Sequence, residues 1–499
     1  MDVLLEQISM ALDWYNLLFI LIGTLLGILI GAIPGLTVIM AVALAVPLTM
    51  YLPLGPSLGL LLGIYISGIY GGSISAILVN APGTPAAAAT TLDGYPLSKQ
   101  GRAGKALKMA LFSSFAGGMI SIVFLVVIAR YLSKVALLFG PAEKTALLFF
   151  ALTIIGVLAG KPILKGLLAA GLGLFLSCVG SDPLLAVSRF TFGSLELEEG
   201  LGFIPTMIGL FAISEFIVQA ENRLKMRNYK SEISSSFNRA ENRLSGKEIR
   251  SSLKSIFRSG ILGTFIGSLP GIGATVACFL GYGEARRASK EPEKFGEGAL
   301  EGVAAAEAAN NAVSGATLIP LLSLNVPGDA VTAILYGALL IQGVQTGPLI
   351  FEHHMDAVYL IYITLILANI FMVAAALSLM PLFRRIADIP RHVIFPIVFV
   401  FCVVGSYAVR NNIVDVYIML GVGLLGYILR KQGIPLAPLL IGFILGTPFE
   451  EAFRQTLAGS GNSLLVFVRE PISLAFLILA VGSIVLTIIR NMREKKAIE

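Results

Sequence analysis

The sequence has 499 residues, of which 56% are hydrophobic and only 13% are charged, with a formal net charge of +6. A soluble globular protein carries about a quarter of charged residues, so this composition excludes an ordinary soluble enzyme. The basic residues lie in short loops, a pattern that orients membrane proteins and does not indicate nucleic-acid binding. The three cysteines are far apart and adjoin apolar segments, which predicts neither a disulfide framework nor a metal site.

Apolar stretches recur along the whole chain, and a bilayer-spanning helix needs about 20 such residues. Together with weaker stretches they predict about 12–14 hydrophobic segments and an all-α polytopic membrane protein. Acidic residues precede the first stretch, so we expect a retained span there and not a cleaved signal peptide. The clearest stretches are Tyr15–Ile33, Leu107–Ala129, Leu147–Gly160, Ala357–Leu379, Val393–Tyr407, Ile413–Leu429 and Ile472–Ile489.

Loop charges predict the orientation, because Lys and Arg concentrate on the cytoplasmic side. The acidic loop Asp182–Gly200 and the loop Thr346–Ala357, which has no Lys or Arg, are expected outside together with the N-terminus. The C-terminus is expected in the cytoplasm. The residues that mark cytoplasmic loops are Lys99, Arg102, Lys105, Lys108, the basic stretch 221–258, Arg384, Arg385, Arg391, Arg430, Lys431, Arg490, Arg493, Lys495 and Lys496.

Two motifs occur twice and in the same order. The first, Gly31–Gly35, recurs as Gly267–Gly271, and the second, Asn80–Gly83, recurs as Asn325–Gly328. Two matches in register predict two homologous halves, and the loop charges predict that the halves cross the membrane in opposite senses, a common plan for secondary transporters. The predicted organisation is a first transmembrane repeat over 1–220, a basic cytoplasmic linker over 221–258, a second repeat over 259–470, and an extra helix with a cytoplasmic tail over 471–499.

The Pro-Gly pairs within these motifs predict broken helices or re-entrant hairpins. Such breaks survive in a bilayer only where protein or a water-filled cavity surrounds them, and matched breaks in two halves are the best pointer to a transport site. The unpaired N–H groups at a helix start favour an anion. The alternative is that these motifs are kinks that only let helices pack. The predicted substrate-binding residues are Pro34, Gly35, Ser73, Asn80, Pro82, Gly83, Thr84, Pro270, Gly271, Gly273, Asn310, Asn311, Asn325, Pro327 and Gly328.

Oxygen-bearing side chains beside the same breaks are candidates to hold a coupling Na⁺. They are Asn80, Asn310, Asn325 and Asp329. For Asp329 three readings stay open: it binds a cation, it is protonated, or it lies off the site. Glu307 is a further functional candidate because it is ionisable within a predicted span.

The chain lacks a P-loop, a His-Glu-x-x-His motif and a Ser/His/Asp set, so we expect no enzymatic activity and no bound cofactor. An ion gradient, of Na⁺ or H⁺, or another chain is expected to supply the energy.

Several longer motifs resemble a known family. They include Tyr70–Ser73 with Asn80 and Pro82–Gly83, Arg189–Gly193, Ile208–Glu215, Phe295–Gly298 and Glu307–Ala312. With these the chain resembles the large membrane subunit of the bacterial tripartite tricarboxylate transporters, the TctA type. One departure is Leu324–Asp329, where the family usually has Leu-Gly-Ile-Pro-Gly-Ser, and it puts the substrate in doubt.

The resemblance implies a translocating subunit in the bacterial inner membrane. Its implied partners are a small membrane subunit of about four helices and a periplasmic solute-binding protein that delivers a citrate-like carboxylate, with Na⁺ or H⁺ as the coupling ion. The alternative is a stand-alone organic-anion carrier or channel. If the site assignment is right, we expect Asn80→Ala or Asn325→Ala to abolish uptake while the protein stays in the membrane.

Overall fold

A computed structural model describes residues 2–33, 35–158, 163–225, 242–383 and 391–496, so the predicted site residue Pro34 lies outside the described residues. Helices make up most of the described chain. The only described strands, β1 (Gly180–Ser181) and β2 (Ser188–Arg189), form a two-stranded antiparallel hairpin that pairs Gly180 with Arg189. The α-helices are α1 (Asp2–Ala11), α2 (Trp14–Ala32), α3 (Val38–Thr49), α4 (Leu54–Val79), α5 (Ala88–Lys99), α6 (Ala103–Ala136), α7 (Pro141–Leu158), α8 (Ile163–Ser177), α9 (Phe203–Ile208), α10 (Ser214–Lys225), α11 (Gly246–Gly267), α12 (Gly273–Ala288), α13 (Leu300–Ala316), α14 (Leu318–Leu324), α15 (Ala330–Ile341), α16 (Ile350–His353), α17 (Met355–Leu379), α18 (Arg391–Arg410), α19 (Ile413–Lys431), α20 (Leu436–Gly459), α21 (Val466–Arg469) and α22 (Pro471–Lys496). Short 3₁₀ turns lie at Leu195–Leu197, Pro292–Lys294 and Met380–Leu382, and a π-helical turn at Gly209–Ile213 joins α9 to α10.

The described helices confirm an all-α polytopic membrane protein. Nine are long and apolar enough to cross a membrane, and four shorter apolar helices accompany them. The α4 helix is the most enclosed of the nine, since 94% of its most apolar stretch is buried inside the protein. The shorter four are 10–17 residues long, too short to cross a bilayer core unaided.

All four motifs interrupt helices. In the first pair, α2 and α11 end shortly before Gly35 and Gly271, whose φ angles are 91° and 86°. In the second pair, α4 and α14 end at Asn80 and Asn325, which adopt left-handed φ angles of 54° and 61°. The paired motifs therefore share their local conformations, while the opposite orientation of the two halves stays a prediction.

Helices α2 and α4 approach each other closely along a row of glycines. Gly23, Gly27 and Gly31 are spaced by four residues and so share one face of α2. A Cβ atom on Gly23 would lie 2.3 Å from the carbonyl oxygen of Leu60, and one on Gly31 would lie 2.4 Å from that of Gly68. Small residues let helices pack this tightly in a bilayer, where the hydrophobic effect does not drive association.

The bundle has two groups of helices that face each other across a cavity. One group contains α2, α4, α6, α11, α13 and α17, with α13 packed on both α6 and α11. The second group contains α7, α8 and α20, and α19 packs against the α9–α10 span. Helices α3, α5, α12 and α15 follow the four interruptions. The first residues of α3, α12 and α15 lie at the cavity between the groups, and so does the segment Thr84–Ala86 that precedes α5.

The predicted basic linker is partly helical. Helix α10 continues to Lys225 and α11 begins at Gly246, both inside the stretch predicted as linker over 221–258. The early start of α11 has a local cause, because Ser245 and Glu248 form a capping box that satisfies orphan N–H groups. The remainder of the linker, 226–241, lies outside the described residues.

Ion pairs attach the β1–β2 hairpin to α20. Arg454 contacts Asp182 at 2.8 Å, and Arg189 contacts Glu450 at 2.8 Å. The backbone N–H of Leu185 is the main group that holds the pKa of Asp182 at about 2, against its partial desolvation and with help from Arg454. The hairpin is thus fixed to the second group of helices by charged groups that stay ionised at neutral pH.

Candidate functional site

A cavity of about 740 Å³ lies between the two groups of helices. Its size falls within the range of small-molecule sites, about 300–1,000 Å³. Residues that follow all four helix interruptions form one wall, and residues of α7, α8, α19 and α20 form the opposite wall. The arrangement places irregular backbone where it lines a cavity, as the hydrocarbon core requires.

Three helices begin at this cavity, and each has the positive end of its dipole there. Thr37 and Val38 start α3, Gly273 starts α12, and Ala330 starts α15. The segment Thr84–Ala86, which leads into α5, also lines the wall. The field of these helix starts favours a negatively charged ligand.

The start of α12 is the most open of the three, since side chains cap α3 and α15. Gly271 and Gly273 have φ angles of 86° and 71°, which favour glycine, and the whole stretch 271–276 lines the cavity. Within the described chain, no side chain caps this helix, and a Cβ atom on Gly273 would meet no heavy atom within 4 Å. Backbone N–H groups and the Thr275 hydroxyl thus face a space that a ligand can enter.

Two cationic side chains line the opposite wall. Lys165 on α8 donates to the carbonyl oxygen of Gln432, and Arg430 on α19 donates to Glu215 on α10. The Arg430 side chain keeps 34% of its surface exposed, so it can also reach a ligand. Lys165 has no carboxylate partner among the described residues, and it lines the cavity.

One carboxylate, Asp329, also lines the cavity, and hydrogen bonds hold it in place. Its Oδ1 accepts from the backbone N–H and the hydroxyl of Thr332, both at 2.8 Å, in a capping box at the start of α15. Its Oδ2 accepts from the Tyr65 hydroxyl at 3.0 Å, and that hydroxyl also lies 3.1 Å from Thr317 Oγ1. Asp329 therefore offsets the dipole of α15 and links α4 to the second half of the chain.

The side chain of Asn310 is buried and lines the cavity, yet neither of its amide atoms has a hydrogen-bond partner among the described residues. The neighbouring Asn311 also has both amide atoms unpaired, but it is not part of the cavity lining. Leaving a buried amide unpaired costs about 1–3 kcal/mol. A polar ligand in the cavity would remove that cost for Asn310.

The structure brings only part of the predicted site together. Asn80 is exposed, and both it and Asn325 end a helix, with the Asn325 amide oxygen accepting from Thr346 at 2.5 Å. Ser73 is buried and donates to Glu307 at 2.5 Å. The predicted residues on the cavity wall are Thr84, Gly271, Gly273, Asn310, Gly328 and Asp329, and those off it are Gly35, Ser73, Asn80, Pro82, Gly83, Pro270, Asn311, Asn325 and Pro327. The wall thus includes two of the four predicted Na⁺ ligands.

Sequence reasoning missed the two cations. The sequence places Arg430 in a charged cytoplasmic loop, and no motif marks Lys165 as a site residue, yet both line the cavity. Both stand at the edge of an apolar run, which is also where ordinary interfacial anchors stand, so the sequence carries no separate signal for them.

Matched helix breaks around a cavity, inside a polytopic bundle, are the arrangement of secondary transporters. The comparison with known families agrees: residues 17–441 match the family described as "Tripartite tricarboxylate transporter TctA family", and the chain belongs to it. It is therefore a membrane subunit of the tripartite tricarboxylate transporter type.

Two proteins of Agrobacterium vitis are similar to this chain. "Uncharacterized 52.8 kDa protein in TAR-I ttuC' 3'region" is 36% identical over 434 residues, which cover 87% of this chain and 85% of the relative. "Uncharacterized protein in TAR-II ttuC' 3'region" is 36% identical over 234 residues, which cover 47% of this chain and 97% of the relative. No solved structure matches the chain.

Proposed function

We propose that this chain moves a small carboxylate of the citrate type through the membrane by way of the cavity between its two groups of helices. The observation that carries the proposal is the convergence of three helix starts on that cavity, together with Lys165 and Arg430. Helix starts and cations both stabilise carboxylates, and a low-dielectric surrounding strengthens the effect. Several separated positive groups suit a substrate with more than one carboxylate.

The unpaired amide of Asn310 and the open start of α12 supply hydrogen bonds to such a substrate. Gly328 lies beside them, and its carbonyl oxygen accepts from the Gly271 N–H at 2.9 Å, which ties the two breaks of the second half together. This hydrogen bond holds the cavity-lining groups of the two breaks in a fixed position relative to each other.

Partners complete the proposed cycle. A periplasmic solute-binding protein delivers the carboxylate, a small membrane subunit remains bound to this chain, and a cation gradient drives uptake across the bacterial inner membrane. The family membership supports this three-part arrangement. Arg430 belongs to the positively charged loops expected inside, so its end of the cavity is the cytoplasmic end.

The test is uptake of radiolabelled citrate and related carboxylates into proteoliposomes that contain this chain and its small subunit. Each measurement is made with and without the binding protein, and with a Na⁺ gradient, a proton gradient or neither. We expect uptake only when the binding protein and one gradient are both present. Uptake without either would contradict the tripartite mechanism and favour a stand-alone carrier or channel, and no uptake of any acid would contradict the carboxylate assignment.

A further inference from the structure

Glu307 lies on α13 with its side chain fully buried, away from the wall of the substrate cavity. Three hydroxyl groups donate to its carboxylate, one from each of three helices of the first half. Ser73 on α4 donates to Oε1 at 2.5 Å, Thr90 on α5 donates to the same oxygen, and Ser114 on α6 donates to Oε2 at 3.0 Å. The carboxylate is thus the point at which four helices meet.

The charge of this carboxylate is not balanced by a basic side chain. Glu307 forms no ion pair within the described part of the chain, and the titratable groups on which its charge acts include Tyr70 on α4 and Cys278 on α12, neither of which is cationic. Another carboxylate on these helices, Asp93 on α5, accepts from the backbone N–H groups of 296, 298 and 299. An isolated buried charge in a membrane protein costs several kcal/mol, so neutralisation of this carboxylate by a bound cation is favoured.

Short packing contacts connect Glu307 to the substrate cavity. Asn310, whose unpaired amide lines the cavity, follows one turn later on α13. Ala86 also lines the cavity, and it packs with Ala89, Cys278 and Ala306 in a small apolar cluster beside Glu307. A change at Glu307 therefore affects two parts of the cavity wall: the segment that leads into α5, and the Asn310 side-chain amide on α13.

We infer that Glu307 is the proton-binding group that couples a cation gradient to carboxylate movement, an inference that rests on the proposed function. The spacing selects a proton over a larger ion, because carboxylate and hydroxyl oxygens at 2.5 and 3.0 Å are already in hydrogen-bonding contact. A metal ion held among the same oxygens would have to push them apart. A proton from water forms an O–H bond with one carboxylate oxygen and returns to water when that bond breaks.

Electrostatics supplies the coupling. An ionised Glu307 repels an anionic substrate in the adjacent cavity, and the bound proton removes that repulsion. Substrate therefore binds more tightly to the protonated form, and by linkage the proton binds more tightly when substrate is present. Proton and carboxylate then cross together.

The decisive variant is Glu307→Gln, which keeps the shape of the side chain and copies its neutral form. We expect exchange of internal for external citrate to persist within about twofold of the native rate, while accumulation driven by a proton gradient falls more than about tenfold. Citrate affinity should lose the part of its pH dependence that exceeds the titration of citrate itself. Glu301→Gln is the matched control, since Glu301 lies on the same helix, accepts from Ser255 and Ser289, and should leave all three quantities unchanged.

Protonation of Glu307 can be measured without any substrate, so this inference can be tested independently of the proposed function. Acidification of the native protein should produce an infrared carboxylic-acid C=O band that is absent in Glu307→Gln and present in Glu301→Gln. If Glu307→Gln does not fold, Ser114→Ala replaces it: loss of one donor disfavours the ionised form, so the midpoint of that band should move to higher pH by about one unit. A band that persists in Glu307→Gln, or that does not move in Ser114→Ala, would overturn the inference. So would a Glu307→Gln variant whose citrate affinity loses its Na⁺ dependence and keeps its pH dependence.

Discussion

At the breaks that follow α4 and α14, the two sides of the break have different roles. On the side where a helix ends, Asn80 and Asn325 adopt left-handed conformations and lie off the cavity wall. On the side where the next helix begins, Thr84, Gly328 and Asp329 lie on that wall. One short motif therefore supplies a residue that turns the chain and residues that face the cavity.

The difference follows from the polarity of the helix. A helix end exposes carbonyl oxygens and the negative end of the dipole, whereas a helix start exposes N–H groups and the positive end. An anion is stabilised only by the second arrangement. Variants on the two sides should therefore differ in what they damage, with binding affected at the starts and local stability at the ends.

The largest effect is expected at the open start of α12. In Gly273→Ala, the added methyl group projects into the cavity and the residue must keep a φ of 71°, which costs about 1 kcal/mol for a residue other than glycine. We expect citrate uptake to fall at least about tenfold as the anion is pushed away from the N–H groups. Transport assays and binding calorimetry measure the change.

The control for this variant lies on the same helix. Gly283 is exposed in the middle of α12 and has open space around it, so Gly283→Ala should raise helix stability by about 0.5–1 kcal/mol and leave uptake unchanged. Equal uptake in both variants would contradict the assignment of the α12 start as an anion site.

The next effect concerns the cations of the opposite wall. Arg430→Met removes a positive charge from the cavity and should weaken citrate binding about tenfold, the effect of losing roughly one charge-assisted hydrogen bond. Lys431→Met is the matched control, because Lys431 pairs with Glu221 and does not line the cavity. Similar binding constants for the two variants would show that the substrate does not reach this wall.

A smaller effect of opposite sign is expected at Asp329. The Asp329→Asn variant keeps an oxygen that can accept from Thr332 at the cap of α15, and it removes the one carboxylate known on the wall among the described residues. We expect citrate to bind about threefold more tightly, because repulsion between like charges is lost. Weaker binding at constant stability would instead indicate that the carboxylate binds a cation together with the substrate.

Local sequence signals predicted the membrane-spanning helices and the four interruptions. Runs of apolar residues identify spans because burial depends on composition, and a Pro-Gly pair breaks a helix for steric reasons that are independent of its surroundings. The same local information identified Gly271, Gly273 and Asp329 beside the breaks, and Asn310 in a stretch rich in small residues, all of which reach the cavity.

What local signals could not provide is the pairing of distant elements. Lys165 and Arg430 line the same cavity as the helix starts only because α8 and α19 lie on the opposite side of that cavity. The three hydroxyls around Glu307 come from residues that are 193 to 234 positions away in the sequence. No periodicity or motif within one segment encodes such contacts.

The smallest effect is expected where helices end, at Asn80. The side chain is exposed and the residue holds a φ of 54°, so its part in the structure is the left-handed turn that closes α4. Asn80→Ala should lower stability by about 1 kcal/mol, whereas Asn80→Gly adopts the same turn without a Cβ clash and should retain both stability and nearly native uptake. Thermal unfolding in detergent and uptake in proteoliposomes measure the two quantities. Loss of uptake in Asn80→Gly with unchanged stability would mean that the amide itself contacts substrate or ion, and the division between turning residues and cavity residues would then fail at this break.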